Sequence, residues 1–343
     1  MIHHLINRLS RRAVRLAASL PMPVLRLIAG APVVIEGKTL DSQAQAMLRL
    51  AGVDTGKEET VQETRDGFDA QGDWLAHASA PGVTEQAWHA GGVPCAVFRG
   101  PDCPAHGAPA VVFYHGGGHV AGSIASHRPV ARQLAAELGA VIVLVAHRMA
   151  PEHKFPAGIT DCLTAYDAVI AAAGELGLDP ARVAVAGDSA GGNAAAVVAQ
   201  QRKEAPHPPC YQMLWSPWLD MSRETKSFEL FAEGFFLERE KIRWYTAHYL
   251  EHPEQATDPM VSPLLGDVRD TCPAAVMVAG FDPLRDEGLA YAEALRKAGV
   301  ETEQIVLEGM VHPWVNLAGK IHGARAGFDQ AVAILHDAFE RPH

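Results

Sequence analysis

The chain has 343 residues, of which 48% are hydrophobic and 20% are charged, and its formal net charge is −11. An acidic balance of this size argues against a nucleic-acid partner, because nucleic acids favour a basic protein face. The length suits about two domains, or one large α/β domain with an added subdomain. No run of about 18 apolar residues predicts a transmembrane helix.

The first 20 residues combine a basic pattern with an apolar one. Apolar side chains recur at helical spacing from Ile2 to Leu20, and the arginines at positions 8, 11, 12 and 15 lie off that stripe. This pattern predicts an amphipathic helix that packs onto the rest of the protein. Contact with a membrane surface and a cleaved signal peptide are the alternatives.

The rest of the chain divides near residue 80. Residues 1–80 are predicted to be helices and polar loops, with a helix over 39–52 and a charged connector over 57–72. In residues 81–343, short valine-rich runs alternate with alanine-rich helical stretches, which indicates a mostly parallel central sheet flanked by helices. Residues 219–255 interrupt this alternation with an aromatic-rich helical insertion. We expect the insertion to cover the strand ends, where such sheets bind ligands.

The stretch VAGDSAGGN, residues 185–193, places Ser189 between a predicted strand and a predicted helix. A tight turn at this point brings the two elements together, so that side chains at Gly187 and Gly191 would collide. The pattern G-x-S-x-G in a strand–turn–helix context is typical of a nucleophilic serine. The alternative is an ordinary turn with a serine that caps the helix.

A nucleophilic serine needs a base and an orienting acid, which should follow it in the order acid, then histidine. Asp282 comes directly after a predicted strand and is the preferred acid. Asp286 is the second choice, because acids that open a helix are common for structural reasons. His312 follows the next predicted strand and is the histidine with the required position.

Three glycines at 116–118 follow another predicted strand. Glycines let backbone N–H groups approach a substrate oxygen, so this loop and the N–H of Ala190 predict an oxyanion hole. A merely flexible loop is the alternative.

Four motifs together resemble the hormone-sensitive-lipase family of α/β-hydrolase esterases (bacterial family IV). They are HGGG at 115–118, GDSAGG at 187–192, DPLRDEG at 282–288 with a histidine 30 residues after its first residue, and HRMAPEHKFPAGITD at 147–161. The resemblance covers residues 85–340. It implies an α/β-hydrolase catalytic domain over 81–343, with a helical cap formed by residues 1–80 and by the insertion 219–255.

The resemblance also implies an activity and its residues. The activity is hydrolysis of carboxylic esters with short to medium acyl chains, without a metal or cofactor. Matched to the family motifs, Ser189, Asp282 and His312 form the triad, while Gly117, Gly118 and Ala190 donate to the oxyanion. A structural pair of Arg148 and Glu152 is implied as well.

The sequence departs from the family pattern at His119, where an aromatic residue is usual, and at Pro313. These changes concern the substrate pocket. Three rivals remain: an amidase or acyltransferase with the same triad, a membrane-associated lipase, and a binding protein such as the plant gibberellin receptor, which lacks the catalytic histidine. We expect a small-molecule ester as partner and a cytoplasmic location, since the five scattered cysteines suggest a reducing compartment. Dimer formation through the last strand, residues 301–309, is left open.

Overall fold

A computed structural model describes residues 20–51, 59–74 and 80–341. The amphipathic helix predicted at the N-terminus lies outside these ranges, apart from its last residue. Within them, no helix combines the length and the apolar character that crossing a membrane requires.

The described elements alternate along the chain much as the sequence predicts. The helices are α1 (Met22–Ala29), α2 (Ser42–Ala51), α3 (Val61–Trp74), α4 (Ile124–Leu138), α5 (Ala157–Ala171), α6 (Ala190–Gln201), α7 (Lys226–Leu230), α8 (Arg239–Tyr249), α9 (Arg285–Lys297) and α10 (His322–Glu340). The strands are β1 (Val34–Ile35), β2 (Lys38–Thr39), β3 (Thr84–Ala90), β4 (Val93–Arg99), β5 (Ala108–Tyr114), β6 (Val141–Val145), β7 (Leu178–Asp188), β8 (Gln212–Trp215), β9 (Ala274–Phe281) and β10 (Thr302–Val311).

The main sheet has eight strands in the order β10-β9-β8-β7-β5-β6-β4-β3. The strands from β10 to β6 run parallel, and β4 is antiparallel to both of its neighbours. The predicted α/β-hydrolase fold, with a mostly parallel sheet between helices, is confirmed. The strand β10 forms one edge of the sheet, and its pairing across a dimer stays a prediction.

The central strands are apolar on both faces because helices cover both. Along β5, Val111 and Phe113 pack into one hydrophobic layer, whereas Val112 and Tyr114 pack into the other. Burial on both faces explains why the valine-rich runs of the sequence were readable as strands.

The predicted connector over 57–72 is wrong, because most of it is helix α3. Thr60 and Glu63 form a capping box at its start: the Glu63 carboxylate accepts the Thr60 N–H at 3.0 Å, and Thr60 Oγ1 accepts the Glu63 N–H at 3.2 Å. Gly72 lets α3 approach α4 closely, since a Cβ there would lie 2.8 Å from Ser126 Cα. Glycine and charge made this helix look like a loop in the sequence.

The insertion over 219–255 packs above the carboxyl ends of the strands. Its Phe228, Ile242 and Tyr249 share a buried cluster with Val120 and Ala190, which follow β5 and β7. This cluster covers the site that the strand ends form. The division of the chain at residue 80 stays a prediction.

Candidate active site

Ser189 is the one residue between the end of β7 and the start of α6. Its backbone has φ 56° and ψ −121°, a conformation that only a sharp, constrained turn imposes on a residue with a side chain. Trp215 O accepts its N–H at 2.9 Å, and its own carbonyl accepts the N–H groups of Trp218 and Asn193. The strand, the helix and the next strand end therefore hold this turn together.

The glycines on either side of the serine have the steric role that the sequence suggests. A Cβ at Gly187 would overlap the backbone of Gly191, and a Cβ at Gly191 would overlap the carbonyl of Tyr114 on β5. The turn is therefore as tight as its position between strand and helix predicts.

Asp282 and His312 lie at the ends of β9 and β10. His312 Nδ1 is 2.9 Å from Asp282 Oδ2, and the other carboxylate oxygen accepts the Leu284 N–H at 2.9 Å. Both residues are buried. Because a carboxylate only accepts, His312 Nδ1 carries the hydrogen, and Nε2 of the neutral ring is the nitrogen that can take a proton.

The alternative acid has other partners. Asp286 lies 2.9 Å from the guanidinium of Arg285 and accepts the N–H of Ser227 at 2.9 Å. The contact with Ser227 joins α9 to α7, so Asp286 fits the structural role expected of an acid that opens a helix.

Ser189 and His312 line one cavity of about 290 Å³. Gly117 and Gly118 also line it, and Tyr245 of α8 covers it from the insertion. Among the described residues, no hydrogen bond joins Ser189 Oγ to His312. In enzymes such bonds are often long until substrate binds.

The glycine loop points two backbone N–H groups in fixed directions. His115 Nδ1 donates to Gly116 O at 2.9 Å, and the N–H groups of Val120 and Ala121 donate to Gly117 O at 3.1 and 2.8 Å. In a planar trans peptide, the N–H points opposite to the carbonyl of the preceding residue. Holding these two carbonyls therefore orients the N–H groups of Gly117 and Gly118.

Three further facts concern this loop and the start of α6. Burial lowers the pKa of His115 well below its ordinary value, so the ring is a neutral donor to Gly116 O. Gly118 has φ 65° and packs so closely under the Tyr245 ring that a Cβ would overlap it. The Ala190 N–H opens α6, where first-turn N–H groups have no acceptor within the helix.

Sequence reasoning missed Asp188, which precedes the serine. Its buried carboxylate accepts the Gly116 N–H at 3.0 Å and the Asn316 side-chain amide at 3.2 Å, and lies 3.2 Å from His127 Nε2. Burial raises its pKa, but the neighbouring His127 and the hydrogen bond from the Gly116 N–H outweigh burial, so that the pKa is lowered overall. Asp188 thus ties the glycine loop, the serine turn and the His312 loop together. Only its place within GDSAGG could have drawn attention to it.

His119 serves as a flat, neutral ring at the position where the family usually has an aromatic residue. It stacks on Tyr249 with centroids 4.1 Å apart and an interplanar angle of 11°. Burial, followed by the nearby His147, lowers its pKa well below the ordinary value. In the described ranges, no group of three or more His, Cys, Asp or Glu side chains is arranged to hold a metal ion.

The implied pair of Arg148 and Glu152 is wrong. Arg148 binds Asp161, with its Nη2 2.7 Å from Oδ1. Glu152 instead binds Arg65 of helix α3 at 2.6 Å. The sequence separation of 87 residues between Arg65 and Glu152 hid this partner.

Comparison with known proteins places the chain among esterases. A family model described as an alpha/beta hydrolase fold matches residues 111–316. The chain is 35% identical over 347 residues to the carboxylic ester hydrolase LipN of Mycobacterium tuberculosis. The match covers 94% of this chain and 89% of that protein. It is 35% identical over 248 residues to an ethyl acetate hydrolase of Pseudomonas putida, covering 71% of this chain and 78% of that protein.

Solved structures extend the likeness to three dimensions. The thermostable carboxylesterase EstE1, cloned from a metagenomic library, superposes with a TM-score of 0.78 at 36% identity and covers 82% of this chain and 99% of its own. A mutant of the esterase rPPE superposes with a TM-score of 0.83 at 31% identity, covering 90% of this chain and 100% of its own.

Proposed function

This chain belongs to the hormone-sensitive-lipase-like family of α/β hydrolases, and we propose that it hydrolyses carboxylic esters with Ser189 as nucleophile, His312 as general base and Asp282 as the acid that orients the base. The observation that carries this proposal is the 2.9 Å bond between His312 and Asp282, with His312 and Ser189 lining one cavity. The same bond disfavours a purely ligand-binding role, for which no oriented histidine is needed.

The reaction begins when the Ser189 hydroxyl attacks the ester carbonyl carbon. His312 Nε2 takes the hydroxyl proton, and Asp282 stabilises the imidazolium that forms. The carbonyl oxygen becomes an oxyanion that accepts the N–H groups of Gly117, Gly118 and Ala190.

The tetrahedral intermediate then collapses. His312 gives its proton to the departing alcohol, which leaves an acyl ester on Ser189. A water molecule attacks this acyl-enzyme and loses a proton to His312, which passes that proton to Ser189 Oγ as the carboxylic acid leaves.

The cavity supports a preference for short to medium acyl chains. Its volume of about 290 Å³ is small, and apolar side chains of the insertion, among them Leu237, Ile242 and Tyr245, line part of it. A pocket of this size lies at the lower end of the range for small-molecule sites.

Hydrolysis of p-nitrophenyl esters from acetate to palmitate tests the proposal. We expect wild type to prefer the shorter chains and Ser189→Ala to lose activity by about 10,000-fold or more. The matched control is Ser216→Ala, another buried serine with positive φ, located directly after β8. Equal activity of wild type and Ser189→Ala, or no turnover of any ester, would refute the assignment.

A further inference from the structure

Arg65 of helix α3 reaches out of the N-terminal region to two buried carbonyls near the glycine loop. Its Nε donates to Val120 O at 2.9 Å, and its Nη2 donates to Ala150 O at 2.9 Å. Val120 and Ala150 are fully buried. A buried carbonyl that loses its donor is costly, so these contacts constrain both segments.

These two carbonyls belong to the framework that orients the proposed oxyanion donors. The Val120 N–H donates to Gly117 O, which sets the direction of the Gly118 N–H. The Ala150 N–H donates to His119 O at 2.9 Å. Residues 119–120 and residue 150 are therefore linked twice, once by their own backbone hydrogen bond and once through Arg65, next to the glycines in the chain.

We propose that Arg65 is a positioning residue for the oxyanion hole, so that helix α3 takes part in catalysis as well as covering the cavity. This inference rests on the proposed esterase function. Arg65 touches no reacting atom; it acts by holding the turn from Gly117 to Val120 in the shape that aims the Gly118 N–H.

The carbonyl contacts, rather than the ion pair with Glu152, carry this role. Glu152 accepts two hydrogen bonds from Arg65, and they hold the pKa of Glu152 at about 2. However, the Glu152 side chain is 54% exposed, against 21% for Arg65. Exposed ion pairs contribute little, so Glu152 only steadies the guanidinium.

Helix α3 has other anchors, so losing Arg65 should leave it in place. Ser123 Oγ donates to Asp69, and Gly72 packs against Ser126 at the start of α4. Arg65, Asp69 and Gly72 are spaced i, i+4 and i+7, which places them on one face of the helix. A variant at position 65 therefore keeps two of the three contacts of that face.

The test compares Arg65→Met with Arg148→Met, since Arg148 is a matched arginine that binds a carboxylate but no carbonyl of the glycine loop. With p-nitrophenyl butyrate and active sites counted by burst titration, we expect Arg65→Met to lower kcat by roughly 10- to 100-fold with KM nearly unchanged. We expect Arg65→Lys to recover part of the loss, and Glu152→Gln and Arg148→Met to stay near wild type.

Hydrogen exchange supplies a readout that does not depend on activity. We expect the Val120 and Ala121 amides, which donate to Gly117 O, to exchange faster in Arg65→Met than in wild type or Arg148→Met. Wild-type kcat per active site or unchanged exchange in Arg65→Met would overturn the inference. An inactive wild type would instead refute the proposed function, and the exchange measurement would still decide whether Arg65 holds the loop.

Discussion

Asp282 Oδ2 accepts a 2.9 Å hydrogen bond from His312 Nδ1, although the two residues follow different strands and are 30 positions apart. The second carboxylate oxygen is held by the Leu284 N–H. With both oxygens bound and the side chain fully buried, the carboxylate has one orientation. That orientation selects the histidine tautomer in which Nε2 takes the proton.

Asp282→Asn tests this relationship. An amide keeps the shape but offers an N–H, which favours the wrong histidine tautomer. We expect kcat to fall by about 1,000- to 10,000-fold, as at the equivalent position of serine proteases. Asp286→Asn is the control and should keep most of the activity, since Asp286 binds Arg285 and Ser227. The reverse pattern in p-nitrophenyl ester hydrolysis would assign the acid role to Asp286.

The positions of Ser189, Asp282 and His312 were predictable because each stands directly after an apolar run, where a strand end must be. Asp188 and Arg65 were not predictable in their roles. Asp188 meets Gly116 across 72 positions and Asn316 across 128. Arg65 meets Val120 across 55. Such contacts depend on how the elements pack, and no local pattern encodes them.

The elements of the fold also divide into those that local sequence patterns predicted and those that they did not. The strands from β5 to β9 were predictable because both faces are buried, which leaves long apolar runs. The edge strand β3, with the sequence TEQAWHA, was not predicted, since most of its side chains are exposed. Helix α3 was mistaken for a connector because its Gly72 serves close packing against α4 rather than a turn.

Asp188→Asn should weaken the framework behind the serine. The substitution keeps an acceptor for the Gly116 N–H but removes the negative charge opposite His127, 3.2 Å away. We expect the free energy of unfolding to fall by about 1.5–3 kcal/mol and kcat to fall as well. Urea unfolding of Asp188→Asn, His127→Gln and the double variant measures the coupling. Strict additivity of the two changes in unfolding free energy would contradict an energetic coupling between Asp188 and His127.

Gly191→Ala should damage the serine turn itself. The added methyl would overlap the Tyr114 carbonyl on β5, which is backbone and cannot move aside. We expect a loss of about 3 kcal/mol or more in stability, or no folded protein. Gly174→Ala is the matched control, because a Cβ there meets nothing within 4 Å, and it should be neutral or slightly stabilising. Thermal unfolding of both variants measures the difference. Equal melting temperatures would show that the turn accommodates a methyl group at position 191.

The last prediction concerns pH and His119. Burial lowers the pKa of His119 well below its ordinary value, so below about pH 6.5 unfolding takes up a proton and stability falls as pH falls. His119→Phe keeps a ring to stack on Tyr249 and should cost less than about 1.5 kcal/mol at neutral pH. On acidification the stability of His119→Phe should fall less steeply than that of wild type. The two slopes should differ by up to about 1.4 kcal/mol per pH unit. Urea unfolding from about pH 7.5 to pH 5 measures both slopes. Parallel slopes would mean that His119 takes up a proton in the folded protein as readily as in the unfolded one.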